Sequence, residues 1–250
     1  MNAVEFDPVV AALPNGEMEK EEPIPEALEA ISVRQESCHR MGVVNGMDAS
    51  LEQAVSHAEY LKSFASGESI DCIYNRTHGA WTDLIEVFCL NYFGYSPNTA
   101  KQLQEKWSLF HCENSDRINA KYLQFCHSQG TLSVRNGLAS LSEEIRNRVI
   151  VVAIAPAGIV PNDLCYNSFN YASRKDPIPF GELLFAGALD PNEWGASKKV
   201  ERVLAYREQL ILLDSHPEAM GIDHDFQSPT FRKVISDHIH EYLACNGEYS

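Results

Sequence analysis

Five consecutive residues, Cys126-His127-Ser128-Gln129-Gly130, combine a hydroxyl nucleophile with small neighbours where an apolar run gives way to a helical pattern. A serine on a sharp strand-to-helix turn is pushed out at the top of a sheet, where its Oγ can attack a carbonyl carbon. Such a turn crowds the residues two before and two after the serine, so both must be small. Gly130 meets that demand, and Cys126 is small but stands where the pattern G-x-S-x-G has glycine. The competing role for Ser128 is an ordinary helix N-cap.

A serine hydroxyl is a weak nucleophile without a base, and the base needs an acid to orient it and stabilise its charged form. The loop Gly221-Ile222-Asp223-His224-Asp225-Phe226 follows the apolar run LILL and precedes the closing helix, so His224 can fold back over the strand ends. His216, directly off the strand, competes with it. The acid is expected at Asp176, in Arg174-Lys175-Asp176-Pro177, because proline biases the residue before it toward extended backbone and holds the carboxylate at a loop tip. Asp214, at another strand end, is the alternative, and a turn-capping aspartate is the structural one. Two backbone N–H groups must meet the oxygen that gains charge. Gln129, just after the serine, supplies one, and Met47, in the turn Val44-Asn45-Gly46-Met47-Asp48, the other. Asn45, Gly46 and His78 are the expected substrate contacts, with Asn-Gly also readable as a plain turn and His78 as part of a turn before a helix.

Other titratable residues look less productive. His127 adjoins the serine, but its side chain is expected to face away from the reacting Oγ. His238 and His240 lie in a polar stretch of the closing helix and are expected to be exposed, while His111 and Cys112 merely end a helix. Asp214, His216, Asp223, His224 and Asp225 lack a zinc spacing such as H-E-x-x-H, so no metal and no cofactor is expected.

These residues need a scaffold that brings strand ends together. Strands are predicted over 40–44, 70–74, 121–126, 149–154, 168–172 and 210–213. Helices are predicted over 50–64 (Ser50 as N-cap, Gln53 in the capping-box position), 81–93, 99–110, 129–138, 142–148, 181–188 and 228–243 (Ser228 as N-cap, Pro229 at the first helical position). The run VIVVAI at 149–154 is apolar throughout, as in a strand covered on both faces. Strands alternating with helices predict an α/β fold: one domain over 37–250, with a mostly parallel sheet of about six strands and helices on both faces. In such sheets ligands bind beyond the carboxyl ends of the strands, where the candidate residues fall. The aromatic stretch 80–110 packs helices on the sheet or forms a lid, and 180–201 is a loop-rich insertion that can add a cap.

Composition narrows the classes. At 250 residues with 44% hydrophobic and 22% charged residues, the chain is an ordinary globular size and make-up. A formal charge of −15 without a basic run argues against nucleic acid and anionic membrane partners. No apolar run reaches the ~20 residues of a membrane span. Residues 1–36 are acidic and rich in proline and are expected to be a poorly ordered arm, with a short helix possible over 25–31. They lack the basic start and apolar stretch of a secretory signal. Seven scattered cysteines with no C-x-x-C read as free thiols in a reducing compartment, so a cytoplasmic location is expected, with export by an unconventional route left open. The sequence carries no signal for oligomeric state.

The order Ser128, Asp176, His224, with the Asn-Gly-Met loop, the Cys-His-Ser-Gln-Gly turn, Lys-Asp-Pro-Ile-Pro and Asp-His-Asp-Phe, resembles the α/β-hydrolase superfamily over roughly residues 37 to 245. More narrowly, YNRTHG, GYSPNTA, YLQFCHSQG and GIDHDFQSPTF resemble a family of hypothetical proteins seen in chlamydial genomes, a match that implies no particular substrate. The superfamily resemblance implies a serine hydrolase, such as an esterase or a thioesterase-like enzyme, that cleaves an ester, thioester or amide of a small-molecule or acyl substrate. The sequence departs from the superfamily pattern at Cys126, and at Asn45, where histidine often precedes the oxyanion-hole glycine. These departures and the acidic arm would suit the alternative, a catalytically inactive hydrolase-fold binding or interaction protein.

Overall fold

The computed structural model describes residues 39–47, 49–76, 97–180 and 208–247. Among these residues, in chain order, lie β1 (Arg40–Val44), α1 (Leu51–Lys62), β2 (Ile70–Ile73), α2 (Pro97–Glu113), β3 (Tyr122–His127), α3 (Gly130–Ala139), α4 (Glu143–Arg146), β4 (Val149–Ile154), β5 (Asn167–Ser173), β6 (Leu210–Leu213) and α5 (Pro229–Ala244). Two short 3-10 helices that the sequence pattern does not reveal, Asn162–Leu164 and Ile178–Phe180, lie before and after β5. The acidic arm 1–36, the helices expected over 25–31, 81–93 and 181–188, and His78 lie outside the described residues.

The six strands form one sheet in the order β2-β1-β3-β4-β5-β6, and every neighbouring pair is parallel. The α/β class, the six strands and the helices on both faces are thus as expected, and the sheet is parallel throughout among the described residues. The chain runs from β1 outward to β2 and then returns to the other side of β1 for β3. Strand order therefore reverses between β1 and β3, and loops leaving two such strands diverge and open a crevice. Val44 pairs with Cys126 across this junction, so the Asn45-Gly46 loop and the Ser128 turn leave the sheet side by side.

Alternation along β4 explains its unbroken apolar run. Ile150, Val152 and Ile154 join one core with Leu61 of α1 and Phe231, Ile235 and Ile239 of α5. Val149, Val151 and Ala153 join a second core with Leu103, Trp107 and Phe110 of α2 and Val134 and Leu138 of α3. Both faces are covered, as a parallel sheet requires. Each fully buried Val, Leu, Ile or Phe side chain stabilises the fold by roughly 1.5–3 kcal/mol. Helix α5 is also fixed at its far end, where the Tyr242 hydroxyl donates to the Lys121 carbonyl (2.7 Å) and accepts from the Arg40 N–H (3.0 Å). The platform beneath the strand ends is therefore held by packing on both sides.

Candidate active site

Ser128 is the first residue beyond β3, and its backbone is left-handed, with φ +50. A side chain there costs roughly 1–2 kcal/mol, so the surroundings must enforce it. Its N–H donates to the Ile154 carbonyl (3.2 Å), and its carbonyl accepts from the Thr131 and Ala157 N–H groups (both 3.1 Å) and from Thr131 Oγ1 (2.7 Å). The N-cap position of helix α3 is Gln129, not Ser128, and Gln129 makes no side-chain cap bond.

Close packing accounts for the glycines. A Cβ on Gly130 would fall 2.6 Å from the Asn45 carbonyl oxygen, and one on Gly46 would fall 2.8 Å from Ser128 Cβ. Neither position has room for a side chain, because real Cβ atoms do not come under 3.0 Å of other heavy atoms. Cys126 is fully buried in the core beneath α2 and α3, and burial, with Cys165 nearby, pushes its thiol well above the usual range. It fills the small-residue position as an inert packing group.

His224 stands between the serine and a carboxylate. Its Nε2 lies 2.9 Å from Ser128 Oγ and its Nδ1 lies 2.6 Å from Asp176 Oδ2. A carboxylate can only accept, so Nδ1 carries the proton and Nε2 is left to accept from the serine hydroxyl. The other Asp176 oxygen accepts from the Ile178 N–H (3.0 Å), at the 3-10 helix that Pro177 introduces. Asp176 is buried, with 1% of its surface exposed.

Asp223, also left-handed at φ +56, is the residue before His224 and anchors the loop there. Its buried carboxylate accepts from Ser173 Oγ at the end of β5 (2.5 Å), Ser228 Oγ at the start of α5 (2.5 Å) and Thr230 Oγ1 (2.7 Å). Burial alone would raise its pKa, but the hydroxyl bonds outweigh it and hold the group below the usual carboxylate range. His127, next to Ser128 in sequence, reaches the His224 loop: its Nε2 lies 2.8 Å from the His224 carbonyl oxygen, and the two imidazole centroids are 5.1 Å apart.

Asn45 is buried, and its polar atoms are engaged within the protein. Its Nδ2 donates to the carbonyls of Gly46 (2.7 Å) and Asn75 (3.2 Å), and its Oδ1 accepts from the Asn75 N–H (2.8 Å). Asn75 Nδ2 in turn donates to Gln129 Oε1 (3.3 Å). Asn45, expected as a substrate contact, thus bears on the site through the backbone of the loop that carries Gly46 and Met47. Asn75 lies in the segment YNRTHG, but its bonds to Asn45 and Gln129 are visible only once β1 and β2 lie side by side.

The competing residues lie elsewhere. His216 is exposed, and Asp214, with 94% of its side chain exposed, pairs with Arg174 (2.9 Å). No group of three His, Cys, Asp or Glu side chains among the described residues is arranged to hold a metal ion. His238 corrects the expectation of exposure: it is partly buried, its Nε2 lies 2.9 Å from the Tyr171 hydroxyl, and burial lowers its pKa to about 4. Helical spacing explains this, because His238 falls three positions after the buried Ile235 and four before the buried Tyr242. The described cysteines 72, 112, 126, 165 and 245 are free thiols, and no helix among the described residues is long and apolar enough to cross a membrane.

The site therefore combines a half-buried hydroxyl, an imidazole and a carboxylate in one hydrogen-bonded line beyond the carboxyl edge of a parallel sheet. That arrangement can remove a proton from the hydroxyl and keep the resulting imidazolium in place. No family model matches the chain, and no curated protein matches it in sequence. Among solved structures it is similar to a carboxylesterase from Mesorhizobium loti, with 14% identity, a TM-score of 0.43, and coverage of 84% of this chain and 90% of that one.

Proposed function

We propose that the protein is a serine hydrolase that cleaves an ester, thioester or amide through an acyl-enzyme intermediate. The observation that carries this reading is the continuous line Ser128 Oγ, His224 Nε2, His224 Nδ1 and Asp176 Oδ2, with separations of 2.9 and 2.6 Å. Ser128 Oγ attacks the carbonyl carbon as His224 takes its proton. Asp176 holds the imidazole in the tautomer that can accept it and stabilises the imidazolium. The negative oxygen of the tetrahedral intermediate is received by the backbone N–H groups of Met47 and Gln129. The close approach of Gly46 to Ser128, and the Asn45–Asn75–Gln129 bonds, support a common frame for those two donors. As the intermediate collapses, His224 returns the proton to the leaving group. Water then repeats the cycle on the acyl-Ser128 ester and frees the acid. Neither metal nor organic cofactor enters any step.

The test is steady-state hydrolysis of short activated esters. Ser128→Ala is expected to lose most of the rate, on the order of 10⁶-fold in an efficient triad enzyme. A Ser128→Ala protein as fast as wild type would end the proposal.

A further inference from the structure

The nucleophile and the base sit on elements far apart in sequence, and the 2.9 Å between Ser128 and His224 depends on how the β6–α5 loop is tied to β3. One direct tie is the bond from His127, covalently next to Ser128, to the backbone carbonyl of His224 at 2.8 Å. We propose that His127 is a positioning residue for the reaction: its Nε2–H holds the His224 carbonyl and so sets the base at its working distance from Ser128. This rests on the serine-hydrolase reading above.

Three observations support it. First, a carbonyl oxygen only accepts, so the bond requires the tautomer with the proton on Nε2. Second, burial, reinforced by the neighbouring His224 and His57 imidazoles, holds His127 well below the usual histidine range. It therefore offers a neutral donor and brings no second positive charge beside an imidazolium forming on His224. Third, the ring is wedged from other directions: its centroid lies 5.6 Å from His57 of α1 and 5.9 Å from Phe226 of the base loop. His57 in turn packs on Phe226 at 4.6 Å. The donor is thus held in place before substrate arrives, which is what positioning requires.

A packing role and a donor role make opposite predictions. His127→Phe keeps a flat aromatic ring without the donor, whereas His127→Gln restores an N–H on a flexible chain. On an ester that wild type hydrolyses, the Phe variant is expected to lose about 10- to 100-fold in kcat with KM within about twofold, and the Gln variant to recover most of that loss. A Phe variant equal to wild type, or better than Gln, would overturn the proposal and leave the hydrolase reading intact. A wild type inactive on every ester and inert to a fluorophosphonate would remove both. If neither variant folds, nitrogen-15 NMR of the wild-type imidazole decides: a neutral ring protonated on Nε2 is expected, and one protonated on Nδ1 contradicts the bond.

Discussion

Asp176 uses its two oxygens differently, one on His224 and one on the Ile178 N–H, so the carboxylate cannot turn away from the base without breaking a backbone bond. Asp176→Asn keeps that shape but offers the base an amide in place of a charge, and favours the wrong imidazole tautomer. A fall of about 10⁴-fold in kcat is expected, measured on the same esters at neutral pH; a loss smaller than tenfold would put the acid elsewhere. At this scale the sequence was informative where chemistry constrains local spacing. Ser128 and Gly130 were legible because a strand-to-helix turn needs small residues at fixed offsets. Asp176 was legible because proline follows it, and His224 because it lies in the last loop before the closing helix. His127 and Asn75 were not legible: their bonds join residues 97 and 30 positions apart. No periodicity or turn chemistry encodes such pairs.

The loop between β6 and α5 carries His224, and Asp223 ties it to its neighbours. The hydroxyls it accepts from belong to β5 and to the first turn of α5, so one buried carboxylate joins two elements to the residue before His224. Ser228 takes part twice, since its Oγ also accepts from the Thr230 N–H as the N-cap of α5. Ser228→Ala should cost about 1–3 kcal/mol, combining a lost cap with an under-satisfied buried carboxylate. Urea unfolding would measure this, and a change below about 0.5 kcal/mol would show that the network contributes little. The cap itself was readable from Ser228-Pro229, as the capping box was from Ser50 and Gln53, where both reciprocal bonds form. Apolar runs gave each of the six strands to within about a residue at either end. The 3-10 helices escaped because three residues carry no measurable period, and His238 was misplaced because polar neighbours hid its position beside the core-facing stripe of α5.

For the whole molecule, a parallel sheet packed on both faces brings Ser128, His224 and Asp176 together beyond its carboxyl edge, with the Ser128 turn at the reversal between β1 and β3. The same packing makes stability sensitive to acid. Burial, partly offset by Asp225, lowers His57 from 6.5 to about 4, and burial, partly offset by Asp237, does the same to His238. Between those values the unfolded chain binds more protons than the folded one. The contribution of both histidines is therefore fully present above about pH 6.5 and lost as pH falls toward 4. Asp223, held low, acts in the same sense, because its contribution disappears as pH falls through its folded pKa. Unfolding free energies measured from pH 7 to 4 should decline steadily, and a flat profile would contradict this assignment. The proposed activation of Ser128 by His224 and Asp176 can be read from fluorophosphonate labelling of the folded protein with the adduct located by peptide mass. One phosphonylated residue, Ser128, is expected in wild type and none in His224→Ala; an adduct on another residue, or no adduct on folded wild type, would overturn the proposed triad.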